Sequence, residues 1–154
     1  MRKLIRFLRF PLADKVLLFE TTLLTTGVWI ALNLFRFQTV QTALTRMGKP
    51  IRDTLLDTDT PDVQRTIWAV NLSSHYLLRE RPCLTRALVA RMLLSRQGYH
   101  TTLRIGVAPS ANRSLEAHAW LERNGEVVVG NLYDLGRFTP LPPLEIASNN
   151  LKAS

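Results

Sequence analysis

The hydrophobic period of this chain changes at Gly98, and few folds accommodate that change. Before it, apolar residues recur at helical spacing: Val63, Ile67, Val70, Ser74 and Leu77 fall on one face. After it they alternate. Leu103, Ile105 and Val107 share one side of a run from Thr101 to Ala108; Thr102, Arg104 and Gly106 share the other. Glu116 to Glu122 alternates again, with Ala117, Ala119 and Leu121 one way and Glu116, His118, Trp120 and Glu122 the other. Asn124-Gly125 then separates this run from Glu126–Gly130, the composition of a type I′ hairpin turn. Helices followed by antiparallel strands predict an α+β fold.

The last helix before the change starts in Arg81-Pro-Cys-Leu-Thr-Arg-Ala-Leu88. Pro82 suits a first helical turn. From Leu84 to Leu94 there is neither Gly nor Pro, and Gly98 stands where a C-terminal cap is expected. This helix is apolar over much of its circumference, so it is expected at the centre, contacted on several sides. Cys83, the only cysteine, falls at its N-terminus, where unpaired N–H groups and the helix dipole favour a thiolate. A lone cysteine also packs well as a small hydrophobe, so core residue and nucleophile stand level on this stretch alone.

The hairpin adds a geometric expectation. With Asn124 and Gly125 as the central residues, Arg123 faces Glu126 and Glu122 faces Val127; continued evenly, the register sets His118 opposite Asn131. Opposed side chains share a face with Cβ atoms about 4.5–5.5 Å apart. An Asn oxygen there accepts one ring N–H and leaves the other nitrogen for a partner such as Cys83. Asp134 is the competing third residue, and Trp120 flanks the pair on the same face. The order Cys on a helix, His on a strand, Asn or Asp after the return strand is that of a cysteine nucleophile with a histidine base and an orienting group.

The rest of the chain sets bounds. Its 154 residues suffice for one domain with a real core. Residues 1–60 are expected as an N-terminal helical region and 61–154 as the catalytic core, the two packing as one compact unit. Leu12 to about Phe35 reads as one or two buried helices. Thr60-Pro-Asp62 is a helix start with Thr60 as its cap, for a helix running to about Leu77. Pro109–Ser114 is a connecting loop, and the tail from Asp134 is extended, anchored by Phe138 and Leu141. A net charge of +8, spread over the surface except in Met1–Arg9, reads mainly as solvation, and no nucleic-acid partner is expected. Arg2, Lys3, Arg6 and Arg9, interleaved with Leu and Phe, support a minor membrane-surface role. A single cysteine and no clear signal-peptide cleavage site suit a cytoplasmic, reducing setting. His75, His100 and His118 have no ligand-like spacing and no phosphate-binding glycine loop is present, so neither metal nor cofactor is expected.

Pro82-Cys-Leu-Thr-Arg-Ala-Leu88, Leu93-Leu-Ser-Arg-Gln-Gly98, Leu103-Arg-Ile-Gly-Val107, Ala117-His-Ala-Trp-Leu-Glu122 and Arg137-Phe138 together resemble the transglutaminase-like leader peptidases of lasso-peptide biosynthesis. The resemblance spans about Trp68 to Leu141. It implies a transglutaminase- or papain-like fold, with the N-terminal helices and the central Cys-bearing helix packed on a small antiparallel sheet. It also implies a cysteine protease that removes the leader from a ribosomally made precursor. On these motifs Cys83 corresponds to the nucleophile and His118 to the base. The family's third residue is an Asp near the end of the return strand, where this chain reads Val129-Gly-Asn-Leu-Tyr-Asp134, so Asn131 and Asp134 both stay open. No winged-helix pattern precedes the helices. The resemblance therefore implies the stand-alone peptidase of a split system, working with the precursor peptide, a separate small leader-recognition protein and a lasso cyclase. An acyltransferase of the same chemistry and a non-catalytic peptide- or membrane-binding protein are the alternatives.

Overall fold

The computed structural model describes residues 11–48, 60–77, 83–110 and 114–142. The expectations placed on Met1–Phe10, on Pro82 and on the connector before Cys83 lie outside these. Among the described residues, four helices precede the sheet: α1 (Leu12–Leu34), α2 (Phe37–Met47), α3 (Pro61–Leu77) and α4 (Cys83–Arg96). The strands are β1 (Thr102–Pro109), β2 (Leu115–Arg123), β3 (Glu126–Val129) and β4 (Thr139–Pro140), with a 3₁₀ turn, Leu135–Arg137, before the last. They form one antiparallel sheet in the order β3-β2-β1-β4. The α+β layout read from the change of period is present, and the helix start at Pro61 and end at Leu77 fall where the sequence sets them.

Helix α4 is the hub. It packs against α1, α2, α3, β1 and β2, as its apolar circumference requires. Of its 14 residues, Thr85, Ala87, Leu88, Val89, Ala90, Met92, Leu93 and Leu94 are buried. The core around it is continuous from Val28, Val40 and Leu44 in the first two helices through Val63 and Val70 to Leu103, Ala119, Leu121 and Val129 in the sheet. Polar ties fix its C-terminal end. Arg96 reaches Glu20 of α1 (3.2 Å) and the Met47 carbonyl of α2 (3.2 Å), while Gln97 Nε2 donates to Thr66 Oγ1 of α3 (2.7 Å). Gly98, at φ +78°, then turns the chain back, and Tyr99 N–H donates to the Leu94 carbonyl (2.9 Å).

The tight reversal at Gly98 has a positional consequence. A helix of this length rises about 20 Å, and about six strand residues cover the same distance on the way back. The end of β1 and the start of β2 therefore lie at the Cys83 end of the layer. The hairpin closes as expected, with positive φ at both Asn124 (+51°) and Gly125 (+83°).

Three details differ from the sequence reading. Helix α1 is one helix, but only Leu18, Thr21, Thr25 and Val28 are buried, while most of its large apolar side chains face outward. Thr60 contributes its carbonyl, which accepts from Val63 and Gln64, whereas its buried hydroxyl has no partner. Of the two tail anchors, Phe138 is buried (4% exposed), but Leu141 is 43% exposed and is held by its backbone N–H on the Ile105 carbonyl (2.8 Å).

Because α4 is enclosed on several sides, truncating Leu94 leaves a cavity that no single neighbour can fill. Leu94→Ala is expected to cost about 2–5 kcal/mol, read as a lowered midpoint with unchanged slope in urea unfolding. The exposed Leu12→Ala change is expected to stay within about 0.5 kcal/mol.

Candidate active site

β2 alternates as the sequence sets out, and its two faces do different jobs. Ala119 and Leu121 enter the helical core. His118 and Trp120 point to the other side, where Trp120 is packed with Phe138 and Ala108. The His118 ring lies 5.5 Å from the Phe138 ring and 6.1 Å from that of Trp120, nearly parallel to the latter at 14°. His118 is 7% exposed. Trp120 is held by its indole N–H, which donates to Glu122 (2.7 Å), and Glu122 in turn accepts from Arg104 (3.0 Å).

The space for these rings comes from two glycines. Gly106 is paired with His118 across β1 and β2. A Cβ there would come within 2.8 Å of the Trp120 ring and 3.0 Å of Phe138. Gly130 follows β3 at φ +88°, and a Cβ on it would lie 3.0 Å from the Ala119 carbonyl and 3.0 Å from Trp120 Cβ. A glycine inside a strand is a sequence sign of such close approach.

The pairing of β2 with β3 is not even. Arg123↔Glu126 and Glu122↔Val127 hold, but a bulge between Leu121 and Glu122 moves the next pair to Leu121↔Val129, where β3 ends. The expected juxtaposition of His118 and Asn131 is therefore not made, because the bulge consumes one residue and the strand stops short. Asn131 is exposed. Asp134 is engaged elsewhere: it accepts from Arg137 Nε (2.5 Å), and Arg137 also binds Glu116 (2.6 Å) and covers the Phe138 ring at 4.5 Å. Its hydrogen bonds, first to Glu116 and then to Asp134, raise the Arg137 pKa above its ordinary value.

The partner of His118 is a backbone group. Its Nε2 lies 2.7 Å from the Gly130 carbonyl oxygen. That oxygen can only accept, so Nε2 carries the proton, and in the neutral ring Nδ1 holds the lone pair. A motif reading in side chains has no means of finding a carbonyl; the only signal was a glycine directly after a strand.

Cys83 begins α4, is a half-buried free thiol, and packs against the helical core. Arg86, one turn on, is half-buried. Burial pushes its guanidinium pKa down, and attraction to the Cys83 thiolate partly restores it. Among the described residues, Cys83 packs with the helical core while His118 stands with Trp120 and Phe138 on the other face of β2, the two share no hydrogen bond, and no group of three His, Cys, Asp or Glu comes together that could hold a metal.

Residues 24–142 match the model of the transglutaminase-like superfamily core. The chain belongs to that superfamily. The match takes in the second half of α1 (residues 24–34) and all of α2 along with the Cys-bearing helix and the sheet, and four helices on a small antiparallel sheet agree with a transglutaminase-like fold. Members of the superfamily are typically catalytic, so cysteine peptidase or acyltransferase chemistry is suggested for this one. Neither the curated proteins nor the solved structures include a match.

Two measurements follow. ¹⁵N spectra of the His118 ring are expected to show the Nε2–H tautomer, unchanged in Asn131→Ala and Asp134→Ala; a tautomer change in either variant would return that side chain to the role of ring partner. Gly106→Ala is expected to cost about 1–3 kcal/mol by overpacking against Trp120 and Phe138, measured by urea unfolding.

Proposed function

We propose that this protein is a cysteine peptidase that removes the leader from a ribosomally synthesised lasso-peptide precursor, with Cys83 as nucleophile and His118 as general base. The observation that carries the reading is the superfamily match across both blocks, Cys83 at a helix start and His118 on the second strand. The specific motif resemblance narrows it to leader removal.

The chemistry assigns each group one task. Cys83 Sγ, as thiolate, attacks the scissile carbonyl carbon, and the Cys83 backbone N–H at the helix start donates to the developing oxyanion. His118 has taken the thiol proton on Nδ1. It passes that proton to the departing amine as the C–N bond breaks, leaving a thioester. It then removes a proton from water, whose oxygen displaces the thiolate and releases the leader as a carboxylic acid. Nδ1 is the nitrogen for this work because Nε2 is already committed to Gly130. The Gly130 carbonyl thus serves as the third member, orienting the ring without the negative charge that an Asp would bring. Asn131 and Asp134 are left as flanking residues. Trp120 stacks on the imidazole and keeps water from its Nε2 side.

His118 stands on the sheet face turned from the helical core on which Cys83 packs, so their pairing requires the start of α4 and β2 to rearrange around bound substrate, a larger change than the tightening of a loose contact. The leader-recognition protein delivers the precursor, and the lasso cyclase consumes the freed core. A reducing cytoplasm, where the thiol stays reduced, suits this reaction.

Incubation with a lasso-type precursor and its recognition protein, read by mass spectrometry, tests the assignment. Two fragments whose masses sum to precursor plus one water are expected, with none from Cys83→Ala and a rate lower by about 10²–10⁴ for His118→Ala. A product that instead incorporates an added alkylamine would make the protein an acyltransferase. Unchanged function in Cys83→Ala would make it non-catalytic.

A further inference from the structure

Helix α1 packs one face on the protein and leaves the opposite face bare. Leu12, Val16, Phe19, Leu23, Ile30 and Leu34 follow one another at three- and four-residue steps or their sums along a single exposed stripe. Phe19 is 72% exposed and Leu34 70%. A contiguous exposed apolar strip of this kind marks an interaction surface. At its C-terminal end it continues into exposed Phe35.

The polar groups of α1 are turned the other way. Asp14 is paired with Arg65 of α3, and Glu20 with Arg96 of α4. Thr21 Oγ1 donates to the Leu18 carbonyl (3.0 Å) and accepts from Ser73 of α3 (2.8 Å). Both carboxylates of the helix are thus held by cations on neighbouring helices, and the stripe itself presents no acid. These ties hold α1 on α3 and α4 in this fold, although its length and mean hydropathy would permit a bilayer span. Moving it into hydrocarbon would strip two ion pairs and a buried hydroxyl pair of their partners.

Charge is distributed to match. Residues 1–52 contain nine basic residues and two acidic ones, whereas residues 53–154 are nearly balanced, with eleven and ten. Almost all of the net +8 therefore belongs to the segment that carries the stripe. Arg2, Lys3, Arg6 and Arg9 precede the stripe, and exposed Arg36 follows it directly. An apolar strip bounded by cations fits an anionic lipid surface: the side chains enter the headgroup–acyl boundary and the cations meet the headgroups.

We propose that the outer face of α1 seats this protein on anionic membrane surfaces. The helix lies in the interface plane with its buried face still on α3 and α4. This assignment is independent of the reaction at Cys83.

The test is co-sedimentation of the full chain with phosphatidylcholine vesicles with and without phosphatidylglycerol. Pelleting is expected with phosphatidylglycerol, little without it, and less as salt is raised. Phe19→Glu with Leu23→Glu is expected to lower partitioning by at least about tenfold, with thermal unfolding by circular dichroism unchanged. Arg36→Glu, which leaves the apolar stripe intact, is expected to weaken binding by at least about fivefold. No pelleting with either vesicle, or equal pelleting with both, would overturn the proposal. So would a dimer in light scattering that the Phe19 and Leu23 changes dissolve while vesicles stay unbound, since the stripe would then belong to a second copy of the chain.

Discussion

Burial of α4 on several sides is the constraint on which the rest depends. A helix with apolar residues around most of its circumference cannot sit at a surface, so other elements must enclose it. The first three helices and the sheet do so, and its residues run through the core they share. Its end is tied by Arg96 and Gln97 to three other helices, and its chain reversal at Gly98 starts the sheet. Position along this one helix therefore governs the candidate site. Cys83 opens it, and His118 stands on β2, on the sheet face turned from the helical core.

The second constraint is a tautomer. A carbonyl oxygen 2.7 Å from Nε2 settles which ring nitrogen is a base, without any help from a carboxylate. That carbonyl is in place because Gly130 accepts a left-handed backbone and a contact with Ala119 and Trp120 that no side chain could share. Gly106 plays the matching part beneath the Trp120 and Phe138 rings. The imidazole environment is thus built from two glycines and two aromatics, with the charged groups Glu122, Arg104 and Arg137 bracing it from outside.

Much of this was legible because it rests on local rules. The change of period at Gly98 gave the α+β layout, Pro61 and Leu77 bounded a helix, and Asn124-Gly125 gave the hairpin and its first two pairs. The candidate residues Cys83 and His118 were read by type and order alone, and the fold places them on α4 and β2. What escaped depended on geometry that no period encodes. A bulge at Leu121/Glu122 broke an even register and removed the expected His118–Asn131 contact. The ring partner is a main-chain atom, invisible in a side-chain pattern. The apolar content of α1 was read as burial, whereas the fold supplies cover for only one of its faces.

The most direct test of the central claim, that Cys83 and His118 act as a pair, is the rate of Cys83 alkylation against pH in the intact protein and in His118→Ala. The account predicts a thiolate that stays reactive well below the unperturbed thiol pKa of about 8.5 and loses that reactivity in the variant. A slow thiol with an ordinary profile, the same in both proteins and unaltered by the leader-recognition protein and precursor, would contradict it and leave Cys83 as a packing residue of the α4 core.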